Sequence, residues 1–230
     1  MWKKRTLELL GWDTNVSKKI IRIKKPFVAC LSHTSKWELF IFSLYKFNEK
    51  FQRGVIVMAP QYHAMLGKYA KYIDCIPSTK LEDKNKGFVK KTANYLRENK
   101  DKYDWIIIAP EGSLKAKEWR SGYYWLAKEL GWEIRVTGLD FENLNTWISK
   151  PISSKHSQKT VEKFLKRQMG KIVPLKPEGQ IVKVRAHKKR RLFDFHNIFF
   201  IIILITFISL LIVYIVRYTK LRKRGIVFNI

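Results

Sequence analysis

Nineteen consecutive residues, 198–216, carry no charge and are nearly all Ile, Leu, Phe or Val. A helix through them is apolar on every face, so only a protein core or a bilayer can house it. At a rise of about 1.5 Å per residue it is roughly 28 Å long, close to the hydrocarbon thickness of a membrane. Charge brackets it: Lys188, Lys189, Arg190 and Arg191 precede it, and Arg217, Lys220, Arg222, Lys223 and Arg224 follow. Tyr214 sits near one end, where interfacial aromatics are common. The bracketing favours the bilayer, and residues 198–216 read as a transmembrane helix. Residues 186–197 then read as a basic linker and 217–230 as a basic tail. Basic residues on both sides leave the positive-inside rule undecided. Met1-Trp2-Lys3-Lys4-Arg5 lacks the apolar core of a signal peptide. The expectation is a cytosol-facing domain, made first and held by a C-terminal single-pass anchor.

The chain has 230 residues, enough for one globular domain and an accessory segment. Hydrophobic residues make up 46% and aromatic residues 14%, which excludes a largely disordered chain. A net charge of +27 predicts attraction to anionic partners: phospholipid headgroups, polyphosphate ligands or nucleic acid. Charge alone does not choose among them. Cys30 and Cys75 lie in apolar runs and read as buried small hydrophobes. No disulfide framework is implied, which fits a reducing compartment.

Short apolar runs at 27–31, 54–59, 72–76, 105–109 and 134–141 read as strands, with a further short one at 181–185. Pro60, Pro77 and Pro110 close three of them. Helical patterns cover 37–47, 84–100, 121–130 and 158–169, and Gly131 ends the third. The alternation predicts an α/β domain over 26–185, a mixed central sheet flanked by helices. Residues 1–25 are basic with scattered apolar positions and read as a helix lying on a membrane surface.

Two motifs follow strands in this order. Ser32-His33-Thr34-Ser35-Lys36-Trp37-Glu38 follows the first, and Pro110-Glu111-Gly112-Ser113 follows the strand at 105–109. A neutral imidazole at His33 can take the proton of a hydroxyl as that oxygen attacks a carbonyl. A carboxylate at Glu38 can fix its tautomer and stabilise the imidazolium that forms. The competing reading of Glu38 is a Ser35-x-x-Glu38 capping box at a helix start, with no chemistry. The remaining histidines are scattered without metal-ligand spacing, and no Walker loop or Gly-x-Ser-x-Gly elbow is present. No metal and no cofactor are expected.

These motifs resemble those of the glycerolipid acyltransferase family, which includes the 1-acylglycerol-3-phosphate acyltransferases. The resemblance covers residues 20–180. The family carries His-x4-Asp, Ile-Pro-x-x-Arg and Pro-Glu-Gly-Thr-Arg. This chain has His33-x4-Glu38, Ile76-Pro77-Ser78-Thr79-Lys80 and Pro110-Glu111-Gly112-Ser113-Leu114-Lys115. The segments 119–124 and 138–141 also look like family blocks. The resemblance implies catalysis by His33 and Glu38, with Lys80, Glu111, Gly112, Ser113 and Lys115 around the substrates. Glutamate for aspartate moves the carboxylate by about an ångström, which can cost rate. Lys80 binds phosphate as a point charge without an arginine's fork. Leu114 stands where the family has arginine, and Lys115 is the candidate replacement.

The resemblance implies a membrane-anchored O-acyltransferase. It moves a fatty acyl group from acyl-coenzyme A, its co-substrate, to a lysophospholipid, with 1-acylglycerol-3-phosphate the expected acceptor and phosphatidic acid the product. The expected partners are acyl-coenzyme A, the acceptor lipid and the membrane, with no specific nucleic acid. Two alternatives stand beside it. One is a catalytically degenerate relative that binds lipid or coenzyme A. The other is a non-enzymatic basic membrane tether, motivated by the charge alone.

Overall fold

The computed structural model describes residues 2–14, 23–32, 34–35, 38, 41–42, 44–45, 53–78, 87–112, 118–175 and 181–182. The chain divides into two units, 1–187 and 188–230, and every described residue belongs to the first. The membrane helix expected at 198–216, its linker and the basic tail lie outside the described residues. No helix among the described residues is long and apolar enough to cross a membrane.

The described part is α/β: a mixed seven-stranded sheet with flanking helices. Its strands are β1 (Phe27–Leu31), β2 (Gly54–Met58), β3 (Cys75–Pro77), β4 (Trp105–Ile108), β5 (Glu133–Asp140), β6 (Asn145–Ile148) and β7 (Ile152–Ser153). The order is β3-β2-β4-β1-β5-β6, and β7 also pairs with β5. The first five strands of that order are parallel; β6 and β7 run antiparallel to β5. Central strands of a parallel sheet are buried on both faces, which is why β1 reads Phe-Val-Ala-Cys-Leu and β4 Trp-Ile-Ile-Ile without polar alternation.

Helix α1 spans Trp2–Leu9, α2 Pro60–Leu66, α3 Tyr69–Tyr72, α4 Phe88–Glu98, α5 Gly122–Leu130 and α6 Gln158–Met169. One face of the sheet offers Val28, Cys30, Ile106, Ile108, Ile134 and Val136 to a core shared with Ala93 and Leu96 of α4, Leu126 of α5 and Leu165 of α6. Burying a side chain of this size is worth about 1.5–3 kcal/mol, so this layer is the main stabilising contact of the domain. Ser157 caps α6, its hydroxyl accepting from the Thr160 N–H at 3.3 Å. Gly54 at the start of β2 admits no side chain, because a Cβ there would overlap the Trp105 ring. Trp105 in turn stacks on Phe27 at 6.0 Å between centroids.

Several sequence expectations shift. Pro60 closes β2 and also opens α2 at its first turn, where a missing N–H costs nothing. Pro77 ends the third strand as its last paired residue rather than as the residue after it; β3 is an edge strand, where a proline breaks no ladder. The run expected as strand from residue 72 is helical at Tyr72 and turns at Asp74, whose φ is +45°. Ile181 and Val182 form a bend rather than a strand, and 183–185 lie outside the described residues. In the N-terminal segment, Leu7 and Trp12 are buried, Trp12 edge-on to Tyr45 and Phe141. Those two apolar side chains therefore face protein and are not the ones that could meet a membrane surface.

Candidate active site

Strands β1 and β4 are adjacent and parallel, with Cys30 opposite Ile108. The chain therefore leaves both at the same edge of the sheet, one residue after the other in register. The motif at 32–38 emerges from β1, and the motif at 110–113 from β4. Open parallel sheets bind ligands beyond this carboxyl edge.

Two carboxylates anchor the two residues that flank His33. Ser32 Oγ donates to Glu111 Oε1 at 3.3 Å, joining the two motif loops directly. The Thr34 N–H donates to both oxygens of Glu38, at 3.2 and 3.0 Å, and the Thr34 hydroxyl donates to Oε1 at 2.6 Å. Glu38 is 2% exposed and Glu111 3%. A buried carboxylate is tolerable only with such bonds, and bonds to an ionised acceptor are the stronger kind. His33 itself lies outside the described residues.

The Glu38 carboxylate reaches back to Thr34, one residue before the Ser35 that the capping expectation named. Glu38 carries helical backbone, as do Ile41, Phe42, Leu44 and Tyr45, and its carboxylate closes a turn back to Thr34. The Glu38 N–H donates to the Ser35 carbonyl at 3.2 Å. A carboxylate offers about four acceptor positions, so ordering this turn does not conflict with orienting an imidazole.

At the second loop the Gly112 N–H donates to the Ala109 carbonyl at 3.0 Å, closing a tight turn after β4. Gly112 takes φ +68°, a region that costs other residues strain. Arg120 returns to this turn: its N–H donates to the Pro110 carbonyl at 2.8 Å. Its side chain lies across Gly112, so close that a Cβ there would be 3.2 Å from both Cδ and Nε. Ser113 and Lys115 lie outside the described residues.

Lys80 also lies outside them, two residues beyond the described Ser78. The Ser78 N–H donates to the Met58 carbonyl at 2.7 Å, which fixes the exit of β3 at the same edge of the sheet. β3 stands two strands from β4 and three from β1, or roughly 10 and 14 Å at the usual strand spacing. Of the expected site residues, Glu38, Glu111 and Gly112 are thus brought to one edge around Ser32 and Thr34. Ser32, Thr34 and Arg120 were not singled out from sequence. The signal for the first two was their place on either side of His33.

Cys30 lies beneath this edge. Burial, and then the charge of Glu111, push its thiol well above the ordinary value. The thiolate that alkylating reagents require is therefore disfavoured. In the folded protein, Cys30 is expected to resist iodoacetamide at pH 8 for hours and to react on unfolding in guanidinium. Rapid labelling of Cys30 in the native state would contradict this placement.

Glu111→Ala removes the acceptor of Ser32 and leaves a void beneath the second loop. The expected cost is about 2–3 kcal/mol of stability, read by denaturant unfolding. A loss under about 0.5 kcal/mol, the range of ordinary surface changes, would mean that the two loops are not joined through this side chain.

Comparison with protein-family models, curated proteins and solved structures finds no match to this chain.

Proposed function

We propose that the chain is a membrane-anchored O-acyltransferase that acylates a lysophospholipid from acyl-coenzyme A. The observation that carries this reading is the Ser32–Glu111 bond: it joins, at one edge of the sheet, two loops whose residues resemble the paired motifs of the glycerolipid acyltransferases. In the proposed reaction the acceptor hydroxyl oxygen attacks the thioester carbonyl carbon. His33 takes the hydroxyl proton. The carbon–sulfur bond breaks, and the proton passes to the coenzyme A thiolate. An ester and free coenzyme A result, with no covalent enzyme intermediate. Glu38 holds the turn that carries His33 and orients its imidazole. Lys80, Glu111, Gly112, Ser113 and Lys115 shape the substrate side, and 1-acylglycerol-3-phosphate is the proposed acceptor. Residues 198–216 anchor the chain with its domain facing the cytosol, near the lipid it acylates. The +27 charge suits both a polyphosphate donor and an anionic acceptor.

One observation favours the degenerate-binder alternative: the described bonds of Glu38 are those of a purely structural cap. Membranes containing the full chain, given labelled acyl-coenzyme A and a panel of lysophospholipids and glycerol 3-phosphate, separate the two readings. Labelled diacyl product supports transfer and names the acceptor. Ligand binding with no product from any acceptor supports the degenerate reading.

A further inference from the structure

We infer that α2 and α3 form a patch that lies on the headgroup layer of an anionic phospholipid bilayer. The inference needs neither acyl transfer nor the anchor at 198–216. Helix α2 has seven residues and buries none of them, although a helix this short is marginal in water without packing. Leu66 and Ile73 pack on a small core of Ile56, Met58, Ala70 and Cys75. Tyr62 and Met65 stay open to solvent, 38% and 75% exposed. They are three residues apart and so share one face of the helix. Among the described residues the other large exposed hydrophobics are Leu9 on α1 and Trp125 on α5, one to each helix.

Charge and size choose what covers this face. Residues 60–73 contain no Asp or Glu, and Lys68 and Lys71 are exposed. Methionine and tyrosine beside lysines match a bilayer surface: apolar carbon below, an interface that suits tyrosine, and anionic headgroups for the ammonium groups. A protein partner fits poorly. A seven-residue helix is only about 10 Å long, whereas a standard interface takes about 800 Å² from each side. A bilayer has no shape to match and accepts a small patch. The position is also apt. β2 runs parallel to β4, so α2 leaves the sheet at the edge where the loops of Glu38 and Glu111 emerge. Docking through α2 brings that edge to the lipid.

The test places an environment-sensitive fluorophore on Gln61→Cys, an exposed position of α2 that leaves Tyr62 and Met65 intact. Cys30 and Cys75 are buried, so the native protein takes the label at 61. The control site is Lys100→Cys, in the exposed turn that leads into β4 at the opposite edge. The full chain is mixed with phosphatidylcholine vesicles with or without phosphatidylserine, containing lipids spin-labelled near the headgroup. On the anionic vesicles the label at 61 should shift to the blue and be quenched, and the label at 100 should do neither. Met65→Glu, at an exposed site with little bearing on folding, should abolish the quenching. Lys68→Gln with Lys71→Gln should lower the docked-to-undocked ratio by about fivefold per lysine. Alkaline carbonate extraction reads the anchor separately. If the chain resists extraction and the label at 61 is not quenched, the inference is overturned and the anchor reading stands. If carbonate extracts the chain but the label is quenched while it is bound, the anchor reading falls and the inference stands. A blue shift without quenching, lost on diluting the protein in the vesicles, would assign the face to a second copy and overturn the inference. A chain that binds neither kind of vesicle overturns both.

Discussion

Glu38→Gln is expected to cut acyl transfer by roughly 10²–10⁴-fold and to lower stability as well. The stability effect follows from the donors that face this side chain. Thr34 presents an N–H and a hydroxyl to a carboxylate that is 2% exposed. Glutamine keeps one acceptor oxygen but points an N–H₂ donor at groups that also donate. Glu38→Ala goes further and removes the three bonds to Thr34, with an expected loss of about 3 kcal/mol. The rate effect follows from orientation: an amide in place of a carboxylate neither stabilises the imidazolium nor holds its tautomer. Denaturant unfolding and initial rates on the same preparations separate the two effects. Glu38→Asp adds a sharper test. It shortens the reach to Thr34 and restores the family's carboxylate, so the catalytic account expects reduced stability with retained activity. An inactive parent that becomes active on this change would mark a decayed site. A fully active Glu38→Gln would leave Glu38 as a helix cap and nothing more.

The parts of the fold legible in sequence were those set by burial on both sides. β1 and β4 are unbroken apolar runs, β5 is buried over most of its length, and each lies within about a residue of its expected position. Helix α6 matches its expected range because its amphipathic face and its Ser157 cap agree. What failed was local. β6 and β7 are short and half-exposed, and their place depends on pairing with β5, a contact that no local pattern announces. α2 buries none of its residues, so no apolar stripe marks it. Pro77 ends β3 as expected, and only its own pairing within the strand was hidden, because a strand-ending proline and an edge-strand proline look alike in sequence. At the candidate site, the residue types of the two motifs were legible, but their mutual contact was not. Ser32 and Glu111 are 79 positions apart, and only the β1–β4 pairing brings them together. Arg120 was hidden for the same reason. Its link to Gly112 arises because the chain returns to the turn before α5 begins.

The central claim is that one histidine, set between two anchored residues, moves the proton in acyl transfer. General base catalysis is worth about 10²–10⁴ in rate, so His33→Ala should lower transfer by that factor. The carboxylate contacts of Ser32 and Thr34 do not involve the imidazole, and they should hold the loop in the variant. Its affinity for acyl-coenzyme A should therefore be retained. The deciding measurement is transfer from labelled acyl-coenzyme A to 1-acylglycerol-3-phosphate by membranes holding equal amounts of the intact chain or His33→Ala. Product from the intact chain that falls to background in the variant, with coenzyme A binding preserved, is the expected result. Equal product from both, with both folded, would contradict the account.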